Sequence, residues 1–160
     1  MSEEFRLYSF VNFYLSPIQA GIQTGHLTDN MTVDYLLSIE LNTISKHIFI
    51  EWIRNQKTYI VLNGGDDTCI IDTYYDIQNL CIDELNLPYG MFLEPGLGNI
   101  MTCCGVVVPN KYYDAVKIGD DYYFNIDKID ENGIIYSENF YEVDSPEWTL
   151  IELIKSKRLF

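Results

Sequence analysis

The 160-residue chain is short of basic residues, and this shortage limits its partners. Ten Lys and Arg stand against 24 Asp and Glu, so the formal net charge is −14. An acidic chain repels polyanions, and phosphate contacts dominate affinity for nucleic acids. A large nucleic acid is therefore an unfavourable partner. The one dense basic cluster, at residues 155–158, suits the C-terminal end of a helix.

The chain also lacks a cysteine pattern and a long apolar run. Its four cysteines, Cys69, Cys81, Cys103 and Cys104, include no C-x-x-C pair, so we expect no disulfide framework, no metal and no cofactor. No apolar stretch approaches the length that crosses a bilayer, and the acidic start lacks a signal peptide's apolar core. We expect a protein without membrane association that resides in the cytoplasm, and its Ile-, Asn- and Tyr-rich composition points weakly to a phage in a host cytoplasm.

What is present fits one globular α/β domain. Hydrophobic residues make up 48% of the chain and aromatic residues 14%, enough for a sizeable core. Residues 7–15 alternate between two largely apolar faces, which predicts a central strand covered on both sides. Ser16 and Pro17 then open a helix that we expect to end near Leu27. A second helix is predicted over residues 32–56.

The remaining pattern predicts a core followed by an appendage. Residues 1–110 give the order β-α-α-β-α-β-β, with a surface turn over residues 64–67 and a helix over residues 73–85. Residues 111–160 are strand-like and end in a helix that Ser145 caps. We predict a β-hairpin and helix appendage packed on the same core. The strands expected in it cover residues 112–118, 121–126 and 134–143.

Two segments contain the residues that are candidates for a functional site. The run over residues 87–102 contains Leu-Pro, then Glu94-Pro95-Gly96, and leads into an apolar strand. It presents the Glu94 carboxylate at the lip of a loop. The segment over residues 15–26 reads Leu-Ser-Pro-Ile-Gln-Ala-Gly-Ile-Gln-Thr-Gly-His, a strand-to-helix junction with small residues in the helix. Its first turn is either an anion site or an ordinary helix cap.

Together the two segments resemble the peptidyl-tRNA hydrolase 2 family and its phage-borne relatives, over about residues 5–110. The resemblance implies a mixed four-stranded sheet with helices on both faces. In a hydrolase of this family, Glu94 and Thr102 would be the catalytic residues. Gln23 and His26 match the helix motif, and the position of the family's lysine is Gln19 here.

Gln19 changes what the resemblance implies about activity. Glutamine has no charge and is neither an acid nor a base, and losing such an electrostatic donor costs about 10²–10³ in rate. The resemblance therefore implies a non-catalytic protein that binds a small, nucleotide-like ligand. A phage protein that sequesters a nucleotide immune signal fits this expectation. The expected ligand-binding residues are Ser16, Gln19, Gln23, His26, Glu94, Asn99 and Thr102.

Two alternatives stay open at this point. The first is an active hydrolase for peptidyl-tRNA or a small ester or amide, with Glu94 activating a water. The second is an acidic module that uses residues 111–160 to bind and block a host protein. The sequence leaves homo-oligomerisation open in each case.

Overall fold

A mixed four-stranded sheet forms the centre of the molecule. The computed structural model describes residues 3–38, 43–125, 128–129, 135–136 and 139–160. The strands are β1 Phe5–Asn12, β2 Thr58–Gly65, β3 Tyr89–Glu94 and β4 Ile100–Pro109. They lie in the order β2-β1-β4-β3. Strands β1 and β2 are parallel, and β4 is antiparallel to both β1 and β3. The described part of the chain thus has the α/β architecture with a mixed four-stranded sheet.

Helices cover both faces of this sheet. Their bounds are α1 Pro17–Leu37, α2 Thr43–Glu51, α3 Asp67–Leu80, α4 Asn110–Tyr113 and α5 Pro146–Lys155. Two π-helical turns, Trp52–Gln56 and Cys81–Leu85, extend α2 and α3. Within the described ranges, none of these helices combines the length and the apolar character that crossing a membrane requires.

Each face of the sheet packs against its own apolar cluster. On the face that we name the α1 face, Leu7 and Val11 of β1 pack with residues of α1 and α2. On the opposite, α3 face, Tyr8 and Phe10 of β1 pack with residues of α3 and α5. Strand β1 therefore lies in the middle of the sheet and is covered on both sides, as its alternation predicts.

Helix α1 is longer than its sequence indicates. It starts at Pro17 as expected but continues past Leu27 to Leu37. The expected end there was wrong because the buried stripe continues through Met31 and Tyr35, at the spacing of successive turns. Residues 32–37 thus belong to α1, and α2 begins at Thr43. The part of the predicted second helix at residues 39–42 lies outside the described residues.

The predicted surface turn at residues 64–67 is also wrong. Strand β2 continues to Gly65, and α3 starts at Asp67 rather than at residue 73. Gly64 is buried, and a Cβ there would lie 2.2 Å from Cδ1 of Ile70. Glycine therefore allows α3 to pack closely on the strand. Gly65 has a φ of +88°, which favours glycine at the strand end.

The C-terminal part packs on the same core. Residues 112–118 begin in α4 instead of forming one strand. The further short strands are β5 Val116–Ile118, β6 Asp121–Tyr123, β7 Lys128–Ile129, β8 Ile135–Tyr136 and β9 Phe140–Tyr141. Strands β5, β6 and β9 form a separate antiparallel sheet. Tyr112, Tyr122 and Leu150 belong to the α3-face cluster. Part of the aromatic surface of the C-terminal part is therefore buried against the core.

Several of the expected site residues lie at one end of the sheet. Strands β1, β2 and β3 all finish at this end because each runs in the same direction. Helix α1 starts here after β1, and Glu94 is the last residue of β3. In α/β sheets the carboxyl ends of strands are where polar side chains converge on ligands.

Candidate functional site

Three of the expected site residues form one hydrogen-bonded chain. The Thr102 hydroxyl donates to Oε1 of Gln23 at 2.6 Å, and Nε2 of Gln23 donates to Oε2 of Glu94 at 2.9 Å. Thr102 is fully buried and Gln23 is 8% exposed, while Glu94 lies at the surface end of this chain of hydrogen bonds. The buried amide thus connects a strand hydroxyl to a carboxylate at the lip of the sheet.

The Glu94 carboxylate is held from two sides. Its Oε1 accepts a hydrogen bond from the backbone N–H of Gly96 at 3.1 Å. The bond from Gln23 is the main reason that the pKa of Glu94 lies below its ordinary value, and the Gly96 N–H and nearby His26 lower it further. The side chain is therefore ionised at neutral pH. The neighbouring Asn99 contributes its backbone N–H, which donates to the Glu94 carbonyl at 2.9 Å.

A β-bulge aims Thr102 at Gln23. The pairing of β3 with β4 passes from Phe92 opposite Cys103 to Leu93 opposite Met101, which leaves Thr102 as the extra residue. Without the bulge, neighbouring residues would face opposite sides of the sheet. Instead Thr102 reaches the side chain of Gln23, and the Cys103 thiol contacts the Gln23 carbonyl at 3.2 Å. The bulge therefore builds the site.

His26 lies beside this chain. Its ring stacks on that of Phe92, with ring centroids 4.7 Å apart and an interplanar angle of 28°. His26 is exposed on α1, and Phe92 is half-buried on β3. The pair provides an aromatic surface next to the Glu94 carboxylate. Its imidazole also contributes to the low pKa of Glu94.

Ser16 and Gln19 are engaged with each other at the start of α1. The Ser16 hydroxyl accepts from the Gln19 N–H at 3.2 Å, and Oε1 of Gln19 accepts from the Ser16 N–H at 2.9 Å. This is a capping box. Of the two interpretations of this segment, the ordinary helix cap is the one that the geometry shows. Pro17 has no N–H and Ala20 donates to the Ser16 carbonyl, so few donors remain for an anion.

A second polar cluster occupies the same end of the sheet. Nδ2 of Asn12 donates to Oδ1 of Asp67, and the Tyr14 hydroxyl donates to the same oxygen at 3.0 Å. Among the residues that the structure describes, the buried Oδ1 of Asn12 has no hydrogen-bond partner. This cluster was not among the expected site residues. Its signal in the sequence was the polar Asn12 at the end of an apolar strand face.

Sequence reasoning also missed other polar and aromatic residues between the sheet and α1. The hydroxyls of Ser9 and Thr24 share a buried hydrogen bond of 2.9 Å between β1 and α1. Ser9 stands alone between Leu7 and Val11 on an apolar strand face, which was the available signal. Phe92 gave none, since nothing in the spacing pairs it with His26.

In the described ranges no Lys or Arg forms an ion pair with Glu94, and no metal-binding cluster is present. The ion pairs in the described ranges join Lys111 to Glu3 and Lys117 to Glu152, and neither includes Glu94. No group of three or more His, Cys, Asp or Glu side chains is placed to hold a metal ion there. The arrangement can therefore accept hydrogen bonds from a ligand, and no Lys or Arg of the described ranges is paired with its carboxylate.

Comparisons of the sequence with protein-family models and with curated proteins find no match. The likeness to the peptidyl-tRNA hydrolase 2 family consequently depends on the two segments at residues 15–26 and 87–102.

Proposed function

We propose that this protein binds a small, nucleotide-like ligand at the Gln23–Glu94 end of the sheet and does not turn it over. The observation that carries the proposal is the chain from Thr102 through Gln23 to Glu94, which holds an ionised carboxylate in one orientation. A carboxylate fixed before the ligand arrives loses little side-chain entropy on binding.

The carboxylate favours a ligand with neighbouring N–H donors. An ionised carboxylate has about four acceptor positions, and Gln23 and Gly96 use two of them. The others suit two adjacent N–H groups, which the base edge of guanine provides and adenine does not. We therefore expect recognition through a guanine-type base more than through phosphates.

The stacked rings of His26 and Phe92 support a base at this position. They lie on α1 and β3, the two elements that also carry Gln23 and Glu94. Stacking on aromatic rings contributes about 1–3 kcal/mol per base in single-stranded nucleic-acid complexes. A ligand base can thus contact a ring surface and the carboxylate together.

The same geometry disfavours catalysis. Lowering the pKa of Glu94 weakens it as a general base and prevents it from acting as a general acid at neutral pH. Gln19, at the family's lysine position, is held in the capping box. Among the described residues, no Lys or Arg forms an ion pair with Glu94 in place of the family's lysine.

A thermal-shift screen tests the proposal. The panel contains guanosine, inosine, guanosine and adenosine monophosphates, and a guanine cyclic dinucleotide. We expect guanine compounds to raise Tm, and inosine, which lacks the exocyclic amine, to do so less. A ligand at 100 times its Kd stabilises the fold by about 2.7 kcal/mol. A preference for the cyclic dinucleotide would support sequestration of a signal nucleotide.

Two variants make this result specific. Glu94→Gln removes the charge and replaces one of the two acceptor oxygens with a donor, and should abolish the shift, whereas Glu84→Gln removes an equal charge from the exposed turn after α3 and should retain it. No shift for any compound at millimolar concentration would contradict binding. Turnover of peptidyl-tRNA by the wild type, lost in Glu94→Gln, would contradict the non-catalytic assignment.

A further inference from the structure

A cleft of about 630 Å³ lies along the outer edge of β3, apart from the Gln23–Glu94 chain. Because β3 is the last strand of the sheet, its outer side faces no other strand in the part of the chain that the structure describes. Asn30, Asp34 and Tyr35 of α1 form one wall, and Tyr74 of α3 lies on the other side. Phe92 borders both this cleft and the ring of His26.

The backbone of this edge is already hydrogen-bonded. The Tyr35 hydroxyl accepts from the Tyr89 N–H at 3.0 Å and donates to the Tyr89 carbonyl at 3.2 Å. Nδ2 of Asn30 donates to the Met91 carbonyl at 3.1 Å. These bonds occupy groups that an added strand would need. The cleft is therefore suited to a ligand that binds through side chains.

The side chains of the cleft combine aromatic rings with one carboxylate. The rings of Tyr74 and Tyr89 lie 6.1 Å apart at an angle of 47°, and both residues are half-buried. Burial is the main reason that the pKa values of Tyr35 and Tyr74 are raised, and the Asp34 carboxylate raises both further. Asp34 lines the same cleft as these two tyrosines.

The charges in and around the cleft favour a cation. Among the described residues that line it, Asp34 is the one charged side chain. The whole chain carries a net charge of −14, which raises the local concentration of cations. Aromatic ring faces attract ammonium groups through their electron-rich surfaces.

We propose that this cleft binds a small organic ammonium ion, with its cationic group against the Tyr74 and Tyr89 rings in the cleft that the Asp34 carboxylate also lines. The site is separate from the one that would hold a nucleotide-like ligand. It needs neither Gln23 nor Glu94, so each proposal can fail without the other.

Calorimetric titration of the full chain tests the cation site. The probes are choline and its neutral isostere 3,3-dimethylbutan-1-ol, with n-butylammonium as a primary-amine arm. We expect choline to bind and the neutral alcohol not to bind measurably. Tighter binding of choline than of butylammonium would indicate that ring contacts dominate, and the reverse order would indicate that the carboxylate dominates; either order supports the site.

Matched variants locate the binding. Asp34→Asn should weaken choline binding roughly tenfold, while Asp29→Asn, which removes the same charge from an exposed position on α1 outside the cleft, should change it little. Tyr74→Leu should weaken binding roughly 3- to 30-fold, and Tyr74→Phe should preserve it because the ring remains. Equal binding of choline and the neutral alcohol, or equal loss in the two aspartate variants, would overturn the proposal.

Discussion

The two faces of the central sheet are built differently. The α3 face is filled mainly by large apolar side chains such as Phe10, Ile70 and Ile77, and its bonded polar pair, Asn12 and Asp67, lies at the end of the sheet. The α1 face buries polar groups in addition to its apolar cluster, and these groups are paired across the face: Ser9 with Thr24, and Thr102 with Gln23. The difference indicates that the α3 face mainly stabilises the fold, whereas the α1 face also positions a chemical group at the end of the sheet.

The α3 face should show the largest response to truncation. Phe10 is fully buried there, so Phe10→Ala should lower the free energy of unfolding by about 3–5 kcal/mol. Urea unfolding followed by circular dichroism measures this value. A cost below about 1 kcal/mol would mean that this face is not the main apolar core.

Close packing of α1 on the sheet can be tested at a glycine. A Cβ at Gly105 would lie 2.7 Å from the Tyr8 carbonyl oxygen and 2.8 Å from Cδ2 of Leu27. Gly105→Ala should therefore destabilise the protein by about 1–3 kcal/mol. The control Gly21→Ala, where a Cβ meets nothing within 4 Å, should instead stabilise α1 by about 0.4–1 kcal/mol. If both variants gave the same sign, the close approach of α1 would be wrong.

The polar chain predicts non-additive mutations on the α1 face. Thr102→Val keeps the side-chain shape but leaves the buried Oε1 of Gln23 without its donor. This should cost roughly 1–2 kcal/mol. Adding Gln23→Leu removes the acceptor that Thr102→Val leaves without a donor. The double variant should therefore be more stable than the sum of the two single effects predicts. Additive costs in urea unfolding would show that the two side chains are not coupled.

The smallest expected effect is the pH dependence contributed by Glu94. Its pKa is lower in the folded than in the unfolded chain, because Gln23 and Gly96 stabilise the ionised form. The resulting stabilisation is present above the ordinary value of 4.5 and is lost as pH falls through the folded pKa. Stability should therefore fall less between pH 7 and pH 3 in Glu94→Gln than in the wild type. The Glu84→Gln variant measures the effect of removing a surface charge alone.

The sequence predicted those parts of the molecule that local chemistry determines. Alternation placed β1 between two covered faces, and Ser16 with Pro17 marked the start of α1. Resemblance to a family selected Gln23, Glu94 and Thr102, which the fold connects by hydrogen bonds. Their roles toward a ligand stay predictions.

The parts that depend on tertiary packing were not predictable. The bulge at Thr102 is a one-residue shift in the pairing of β3 with β4, and the sequence of β4 alone does not indicate it. The turn expected at Gly64 is part of a strand because β2 stays paired with the distant β1 as far as Gly65. The cleft at the β3 edge exists only once α1 and α3 lie on opposite sides of the sheet.

The account depends most directly on the state of the Glu94 carboxylate. Carbon-13 NMR of this carboxyl group during a pH titration measures its pKa in the wild type and in Gln23→Ala. We predict a pKa below the ordinary glutamate value of 4.5 in the wild type, and a rise toward that value when the Gln23 amide is removed. An ordinary pKa in the wild type, or the same pKa in both proteins, would contradict the claim that the α1 face holds this carboxylate in place.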